Sequence, residues 1–272
     1  MYTINQVKKL GDILCEYITP YLDKYKIEDI YKYDFIIDNK DLFKIKDKIN
    51  KKNKEKNKIN ISINGFEIEE IKNINNSING FEKNVLLKSI LCNKLKQNES
   101  DYLYYLWIVN IWGGIGSFKQ KYSKINKFIV NILKKEIKSQ QFETISSYSK
   151  IISFINPDKY FIYDSKVAFV LNWLLLKNYS KENIYFLNPN GRNSEILKYD
   201  MDTIINLYEK NDIKCFYEKN DIYFFYCDLI IYLFEKLKSN KIQKAFCIEM
   251  FLFGLFEIMV NEMKNKVKLL IE

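Results

Sequence analysis

Two side chains near the middle of the sequence, Lys150 and Asp164, have the chemistry and the spacing to share one site. Asp164 precedes apolar residues at helical spacing, so it is predicted to cap the N-terminus of a helix. Lys150 lies on an earlier helix, and a proline turn at residues 156–158 can fold the two together. An amine can form a Schiff base with a sugar carbonyl carbon, and a carboxylate at a helix N-terminus can stabilise a developing cation.

A simpler interpretation of Asp164 makes it a helix cap and nothing more, because Asp is among the preferred residues there. A reactive Lys150 carries a further requirement, since an ordinary lysine with a pKa near ~10.4 is protonated at neutral pH. Burial lowers the pKa of an amine, whereas contact with an ionised carboxylate raises it. We therefore expect a functional Lys150 to be largely buried in a cleft and not in direct contact with Asp164.

The region of residues 105–178 resembles the core of the helix-hairpin-helix DNA glycosylases, in particular the fold of 8-oxoguanine DNA glycosylase. A lysine-bearing helix, a loop and a short apolar segment lead to an Asp that begins the next helix. The matching residues are Lys150, Ile162, Tyr163, Asp164 and Val167. The resemblance implies that Lys150 attacks the deoxyribose C1′ and that Asp164 assists expulsion of the base, as electrostatic and general-base partner. It also implies double-stranded DNA as the partner, from which the base is flipped.

Three classes of function are open at this stage. The first is an enzyme, a DNA glycosylase with or without lyase activity. The second is a non-catalytic DNA-binding relative of such enzymes. The third is a host-defence or protein-interaction component that has kept the fold, because a fold alone does not determine function.

The charge of the chain suits phosphate contacts better than base reading. There are 43 basic and 34 acidic residues, a net charge of +9, and every basic residue except Arg192 is a lysine. Lysine acts on phosphate as a point charge, whereas bidentate reading of a guanine edge favours arginine. DNA binding is therefore expected to be weak, electrostatic and sensitive to salt. A Lys-, Asn- and Ile-rich composition is also what an AT-biased genome produces.

The chain has no histidine, which excludes histidine bases, histidine-containing triads and histidine-ligated zinc. Its five cysteines are scattered and form no C-x-x-C pair, so neither a zinc ribbon nor an iron–sulfur cluster is indicated. No cofactor and no metal are expected. The absence of a signal peptide and of a membrane-spanning segment predicts a cytoplasmic protein, since even the most apolar stretch, 245–260, contains Glu249 and Glu257.

The only glycine cluster in the sequence follows a predicted buried helix. Gly114 and Gly116 can let backbone amides approach a DNA phosphate, and Lys119 and Lys121 follow directly. The alternative is an ordinary helix C-cap. Arg192, the sole arginine, lies in a turn-rich loop, where it could grip a phosphate or wedge beside a flipped base; an incidental surface position is the alternative.

The fold is predicted to be mainly α: a multi-helix globular protein with a glycosylase-like helix-turn-helix core and at most a small β-hairpin. Strand-like alternation is confined to residues 61–68 and 160–163. Apolar residues at helical spacing predict helices at 3–19, ending before Pro20, and at 84–96, 101–112, 125–138, 149–155, 194–209, 221–238 and 241–268, besides the helix that follows Asp164.

The chain is predicted to divide into an N-terminal helical region, 1–100, and a helical core, 101–272. The first region carries a Lys/Asn-rich insert at about 44–60, which we expect to be a solvated or disordered connection. The alternative is that its lysines contact DNA phosphates. A short sequence, Ser-Ile-Asn-Gly-Phe-Glu, occurs at 62–67 and again at 77–82. Each Asn-Gly pair could close a tight turn, and the alternatives are a pair of similar helix-to-helix turns or a chance match in this composition.

Overall fold

The computed structural model describes residues 2–54, 65–95, 101–178, 185–189, 194–199, 201–208, 219–239 and 242–271. Within these ranges the chain is mainly helical and forms no strand or sheet, which confirms the predicted fold class. The described residues therefore contain no β-hairpin. The helices are α1 (Ile4–Lys24), α2 (Ile27–Ile30), α3 (Asn39–Lys54), α4 (Ile68–Asn75), α5 (Gly80–Lys94), α6 (Tyr102–Trp107), α7 (Tyr122–Leu133), α8 (Ser139–Phe142), α9 (Ile145–Ile155), α10 (Ser165–Lys177), α11 (Ser194–Lys198), α12 (Met201–Tyr208), α13 (Ile222–Leu237) and α14 (Ala245–Ile271). A π-helical turn, Ile108–Trp112, extends α6.

The first helix does not end before Pro20 as predicted, because α1 continues through the proline to Lys24. A proline inside a helix removes one backbone hydrogen bond. The Thr19 hydroxyl donates to the Cys15 carbonyl at 2.7 Å, which provides one alternative bond in this turn. Buried Ile18 holds the same turn against the core, so tertiary packing outweighs the local preference of proline.

The Lys/Asn-rich insert is also more ordered than predicted, since residues up to Lys54 belong to α3. Leu42 is fully buried, and Ile45 and Ile49 pack against the core at helical spacing. This narrow apolar stripe faces α6 and is sufficient to seat a helix whose other faces carry lysines. The remainder of the insert, 55–60, lies outside the described residues.

The two copies of the repeated sequence have different roles. In the second copy Asn79 caps α5, accepting the Glu82 N–H at 2.9 Å, and Gly80 is the first helical residue, so no tight turn forms there. Of the first copy only residues 65–67 are described, where Gly65 has a positive φ of 74°. The prediction of two similar Asn-Gly turns is therefore wrong for the second copy.

One hydrophobic core runs through the described residues and includes side chains from both predicted regions. Its centre is α10, which is buried on nearly every side and packs against α14 and α1. Helix α14 also packs against α13 and α2, and α5 packs against α9. No helix in the described ranges combines the length and the apolar character needed to cross a lipid bilayer.

We predict that Gly80→Ala destabilises the protein. A Cβ at this position would lie 2.4 Å from the Tyr33 carbonyl oxygen, a backbone atom that can move only with its whole segment. Overpacking of this kind costs about 1–3 kcal/mol. Urea denaturation should register the loss, whereas Gly116→Ala, whose added methyl meets nothing within 4 Å, serves as the control and should leave stability nearly unchanged. Equal stability of both variants would contradict the tight contact.

Candidate active site

A buried segment without regular secondary structure, residues 160–164, connects α9 to α10. A buried backbone needs hydrogen-bond partners, and neighbouring helices supply them. Three hydroxyl groups bond the segment: Ser149 Oγ accepts the Tyr163 N–H at 3.1 Å, Tyr223 Oη donates to the Phe161 carbonyl at 3.1 Å, and Tyr226 Oη donates to the Ile162 carbonyl at 2.9 Å. Residues 160–163, for which an extended conformation was predicted, thus form no strand. Side chains, rather than a second strand, provide the hydrogen-bond partners of their backbone.

Asp164 ends this segment and caps α10 as predicted. Its Oδ1 accepts the N–H groups of Lys166 and Val167, each at 3.1 Å. Its backbone is extended and the helix begins at the next residue. The carboxylate therefore lies at the positive end of a helix that is buried on nearly every side.

Lys150 lies in the second turn of α9, which begins four residues earlier than predicted, at Ile145. Its Nζ donates to the Ser146 carbonyl at 3.1 Å. The ion pairs of the described residues do not include one between Lys150 and Asp164, so no contact within 4.0 Å joins their charged atoms. Burial lowers the pKa of the Lys150 amine, although the Asp164 and Glu249 carboxylates act in the opposite direction.

The lysine stem passes close to the end of the π-helical turn. A Cβ on Gly113 would lie 2.8 Å from Lys150 Cδ and 2.9 Å from the carbonyl oxygens of Ile108 and Val109. Gly113 therefore leaves the space through which Lys150 passes. Single π-helical turns occur often at functional sites.

The same π-helical turn positions Trp112, whose indole is fixed by a fully buried asparagine. Trp112 Nε1 donates to Asn84 Oδ1 at 3.0 Å, and Asn84 Nδ2 donates to the Tyr33 carbonyl at 3.2 Å. The rings of Tyr33 and Trp112 meet edge to face with their centroids 5.4 Å apart. One amide thus links the Trp112 side chain to the Tyr33 backbone, and the two rings form one wall.

These elements enclose a cavity of about 290 Å³ that brings Lys150 and Asp164 together. The cavity is open on one side and has aromatic walls with charged groups between them. Its lining residues are Tyr31, Tyr33, Trp112, Gly113, Lys150, Ile162, Asp164, Ser165, Lys166, Glu249 and Phe253. A volume of this size is close to the lower end of the range for small-molecule pockets.

Glu249 contributes a second carboxylate to the cavity. Its side chain is only 2% exposed, and its Oε2 lies 3.7 Å from the Nζ of Lys88, which is 1% exposed. Lys88 Nζ also lies 5.1 Å from the ring centroid of Phe154 and 5.4 Å from that of Phe246. Burial raises the pKa of Glu249 to about 7 and lowers the pKa of Lys88.

Lys166, in the first turn of α10, adds a second amine to the lining. Its Nζ lies 4.7 Å from the ring centroid of Phe253 and 4.9 Å from that of Phe256. A cation at this distance from an aromatic face is held by the ring's electrons. Lys166 is thus engaged with the aromatic wall, and Lys150 is the amine that faces the carboxylates without a direct ion pair.

The predicted phosphate-contact residues lie beside this cavity on the surface. Gly114, in the left-handed region with φ 66°, and Gly116 are exposed, and nothing lies within 4 Å of a Cβ built on either. The N–H of Gly114 donates to the Ile111 carbonyl at 3.3 Å, a bond typical of a helix C-cap. Lys119 and Lys121 are exposed, and the ion pairs of the described residues include neither of them. Their contact with DNA stays a prediction, and Arg192 lies outside the described residues.

Most of the residues that line the cavity were not predicted from the sequence. Glu249 could have been found from the sequence, because it is an acidic residue on the apolar face of α14, one turn before Phe253. In the sequence it was used only as evidence against a membrane-spanning segment. Lys88 had a weaker signal, because its helix carries many polar residues. Trp112 and Gly113 belong to the glycine cluster, whose role was assigned to Gly114 and Gly116 alone.

Comparisons of the chain with protein-family models, with curated proteins and with solved structures found no match. A function can therefore be inferred only from the geometry of the cavity and from the residues that line it. Among the described residues no group of His, Cys, Asp or Glu side chains is arranged to hold a metal ion.

Proposed function

We propose that this protein is a DNA-directed base-excision glycosylase, with Lys150 as the nucleophile and Asp164 as its electrostatic partner. The observation that carries the proposal is the meeting of these two side chains in one cavity. They are separated in sequence by the end of α9, a turn and the buried segment 160–164. The residue types of Lys150 and Asp164 and their spacing in the sequence indicate the same pair, independently of the cavity.

The cavity suits a flat aromatic ligand such as a nucleobase. Tyr33, Trp112 and Phe253 line it, and every base has faces that can stack on such rings. Enzymes that act on a base in duplex DNA extrude it into a pocket of this kind. A volume of about 290 Å³ leaves space for a base, while a dinucleotide cofactor would need a much larger site.

The two site residues have complementary roles in the proposed reaction. The neutral Lys150 amine attacks the sugar C1′, so that an N–C bond forms while the bond from C1′ to the base breaks and the base leaves. Loss of the proton from nitrogen and opening of the sugar ring give a Schiff base. The Asp164 carboxylate, at the start of α10, stabilises the positive charge that develops on the sugar in the transition state.

The surface beside the cavity has the character needed to hold a DNA backbone. The space around Gly114 and Gly116 is open, although the Gly114 N–H donates to the Ile111 carbonyl. Exposed Lys119 and Lys121 follow within a few residues and provide the phosphate contacts of this proposal. Phosphate contacts of this kind position a protein on the duplex without reading its sequence. Trp112 and Gly113 connect this surface directly to the cavity wall.

A second candidate, a DNA-binding relative without catalytic activity, is favoured by one observation. Residues 146–148 occupy the place where the glycosylases carry a Gly-x-Gly hairpin, and here they belong to α9. The N–H groups of Ser147 and Tyr148 donate to the Thr144 carbonyl, so they are not free to bind a phosphate. Such a relative would bind duplex DNA but release no base.

The nucleophile is tested with duplexes that carry an abasic site or a panel of modified bases, in the presence of borohydride to trap a Schiff base. Lys150→Gln is expected to abolish trapping, because glutamine cannot form the covalent bond, and to leave DNA binding nearly intact. Lys8→Gln, an exposed lysine on α1, is the matched control and should trap like the parent protein. Trapping by Lys150→Gln at the parent rate would contradict the assignment.

The carboxylate is tested with three forms of residue 164. Asp164→Asn should keep the melting temperature, because Asn and Asp cap helices about equally well, but should lose base excision, since an amide is neutral. Asp164→Ala should in addition lose about 1 kcal/mol of stability with the cap. Full base excision by Asp164→Asn would show that Asp164 is a cap and nothing more.

The DNA surface is tested through the salt dependence of binding. The double variant Lys119→Gln/Lys121→Gln should bind more weakly, and the slope of log affinity against log salt should become shallower by about 0.9 for each phosphate that is no longer neutralised. The control is Lys8→Gln/Lys26→Gln, which removes the same charge from α1 and from the N-cap of α2. Identical slopes for the two double variants would exclude this surface from the interface.

A further inference from the structure

Glu249 faces the cavity but has no part in the reaction proposed above. Its Oε2 is buried and has no hydrogen-bond partner. The nearest amine is that of Lys88 at 3.7 Å, which is longer than a hydrogen bond between these groups. A carboxylate placed in this way is poorly screened by water, so it acts on the other charges of the cavity over several ångströms.

Titratable groups surround Glu249 on each helix that packs against it. They are Tyr31 after α2, Lys88 on α5, Lys150 on α9, Asp164 and Lys166 at the start of α10, Tyr226 on α13 and Cys247 on α14 itself. Burial raises the pKa values of both tyrosines and of the thiol, so these groups stay neutral at neutral pH. The remaining groups are three amines and one other carboxylate.

Each of the three amines has a different environment. Lys166 lies over aromatic rings, and Lys88 is fully enclosed beside Glu249. Lys150 alone combines a lowered pKa with a place in the open cavity, and the charge of Glu249 opposes that lowering. Glu249 therefore affects the one amine on which the proposed reaction depends.

We propose that Glu249 is a positioning residue that acts through Lys150: its carboxylate, which lines the same cavity and has no hydrogen-bond partner on Oε2, stabilises the protonated form of the Lys150 amine, so that replacing Glu249 by a neutral residue makes the neutral, nucleophilic amine easier to form. The role of Lys150 as a nucleophile in DNA cleavage is taken from the proposed function. The electrostatic control itself does not require it.

The test measures the reactivity of Lys150 without DNA. The intact protein is exposed briefly to acetic anhydride over a range of pH, and the acetylated fraction at Lys150 is read by mass spectrometry of its peptide. Glu249→Gln should move the midpoint of Lys150 acetylation to lower pH, and acetylation at a fixed pH below that midpoint should become several-fold faster. The control is Glu257→Gln, the same substitution at an exposed position of α14, which should leave the profile unchanged.

A second variant separates this effect from damage to the fold. Glu249→Gln alone leaves Lys88 buried without its partner, whereas Lys88→Met/Glu249→Gln replaces the pair by neutral groups of similar volume. The double variant removes the same carboxylate without leaving a buried amine unpaired, so it should also move the midpoint to lower pH. An unchanged midpoint, or one moved to higher pH, in the variants that keep the parent circular dichroism spectrum would overturn the proposal.

The two proposals can fail separately. If borohydride traps no DNA but Glu249→Gln still moves the Lys150 midpoint, the glycosylase function is wrong and the electrostatic control stands. If DNA is trapped through Lys150 but the midpoint does not move, the control by Glu249 is wrong and the glycosylase function stands.

Discussion

The site depends on one constraint: the buried segment 160–164 must have partners for its backbone without a neighbouring strand. Hydroxyl groups from α9 and α13 meet that need, and the hydrogen bonds of Ser149, Tyr223 and Tyr226 fix where the segment runs. A buried carbonyl without a partner would cost about 1–3 kcal/mol, so the segment has little freedom to shift. Its end defines the position of Asp164, and the same Ser149 that holds it is the residue before Lys150.

The cavity and the core beside it hold several charged groups. Burying charges is costly unless they are paired, and Lys88 with Glu249 is the pair that the core accommodates. The environment of Lys150 differs from that of Lys88. Its single described hydrogen bond goes to a carbonyl oxygen, and its two carboxylate neighbours make no direct ion pair with it. A structural salt bridge would have fixed the proton on this amine. Without such a salt bridge, burial can lower the pKa of the Lys150 amine, as a nucleophilic lysine requires.

Much of this fold could be predicted from the sequence, because apolar periodicity reports which face of a helix is buried. The cap at Asp164 and the turn after Ile155 follow from local rules. The errors arose where tertiary contacts outweigh local signals: α1 passes through Pro20, and a stripe of three apolar residues seats α3. The cavity could be predicted only in part. Glu249 and Trp112 come from segments distant in sequence from Lys150, and no local spacing rule reports that such residues meet.

The central claim is that the Lys150 amine is the reactive group of an aromatic cavity built for a base in DNA. Its most direct test is to locate the covalent bond after borohydride reduction of the protein with a duplex that carries an abasic site. Digestion and mass spectrometry should find the reduced sugar adduct on Lys150 and on no other lysine of this lysine-rich chain. An adduct on a different lysine, or no adduct while DNA binding is retained, would contradict the account.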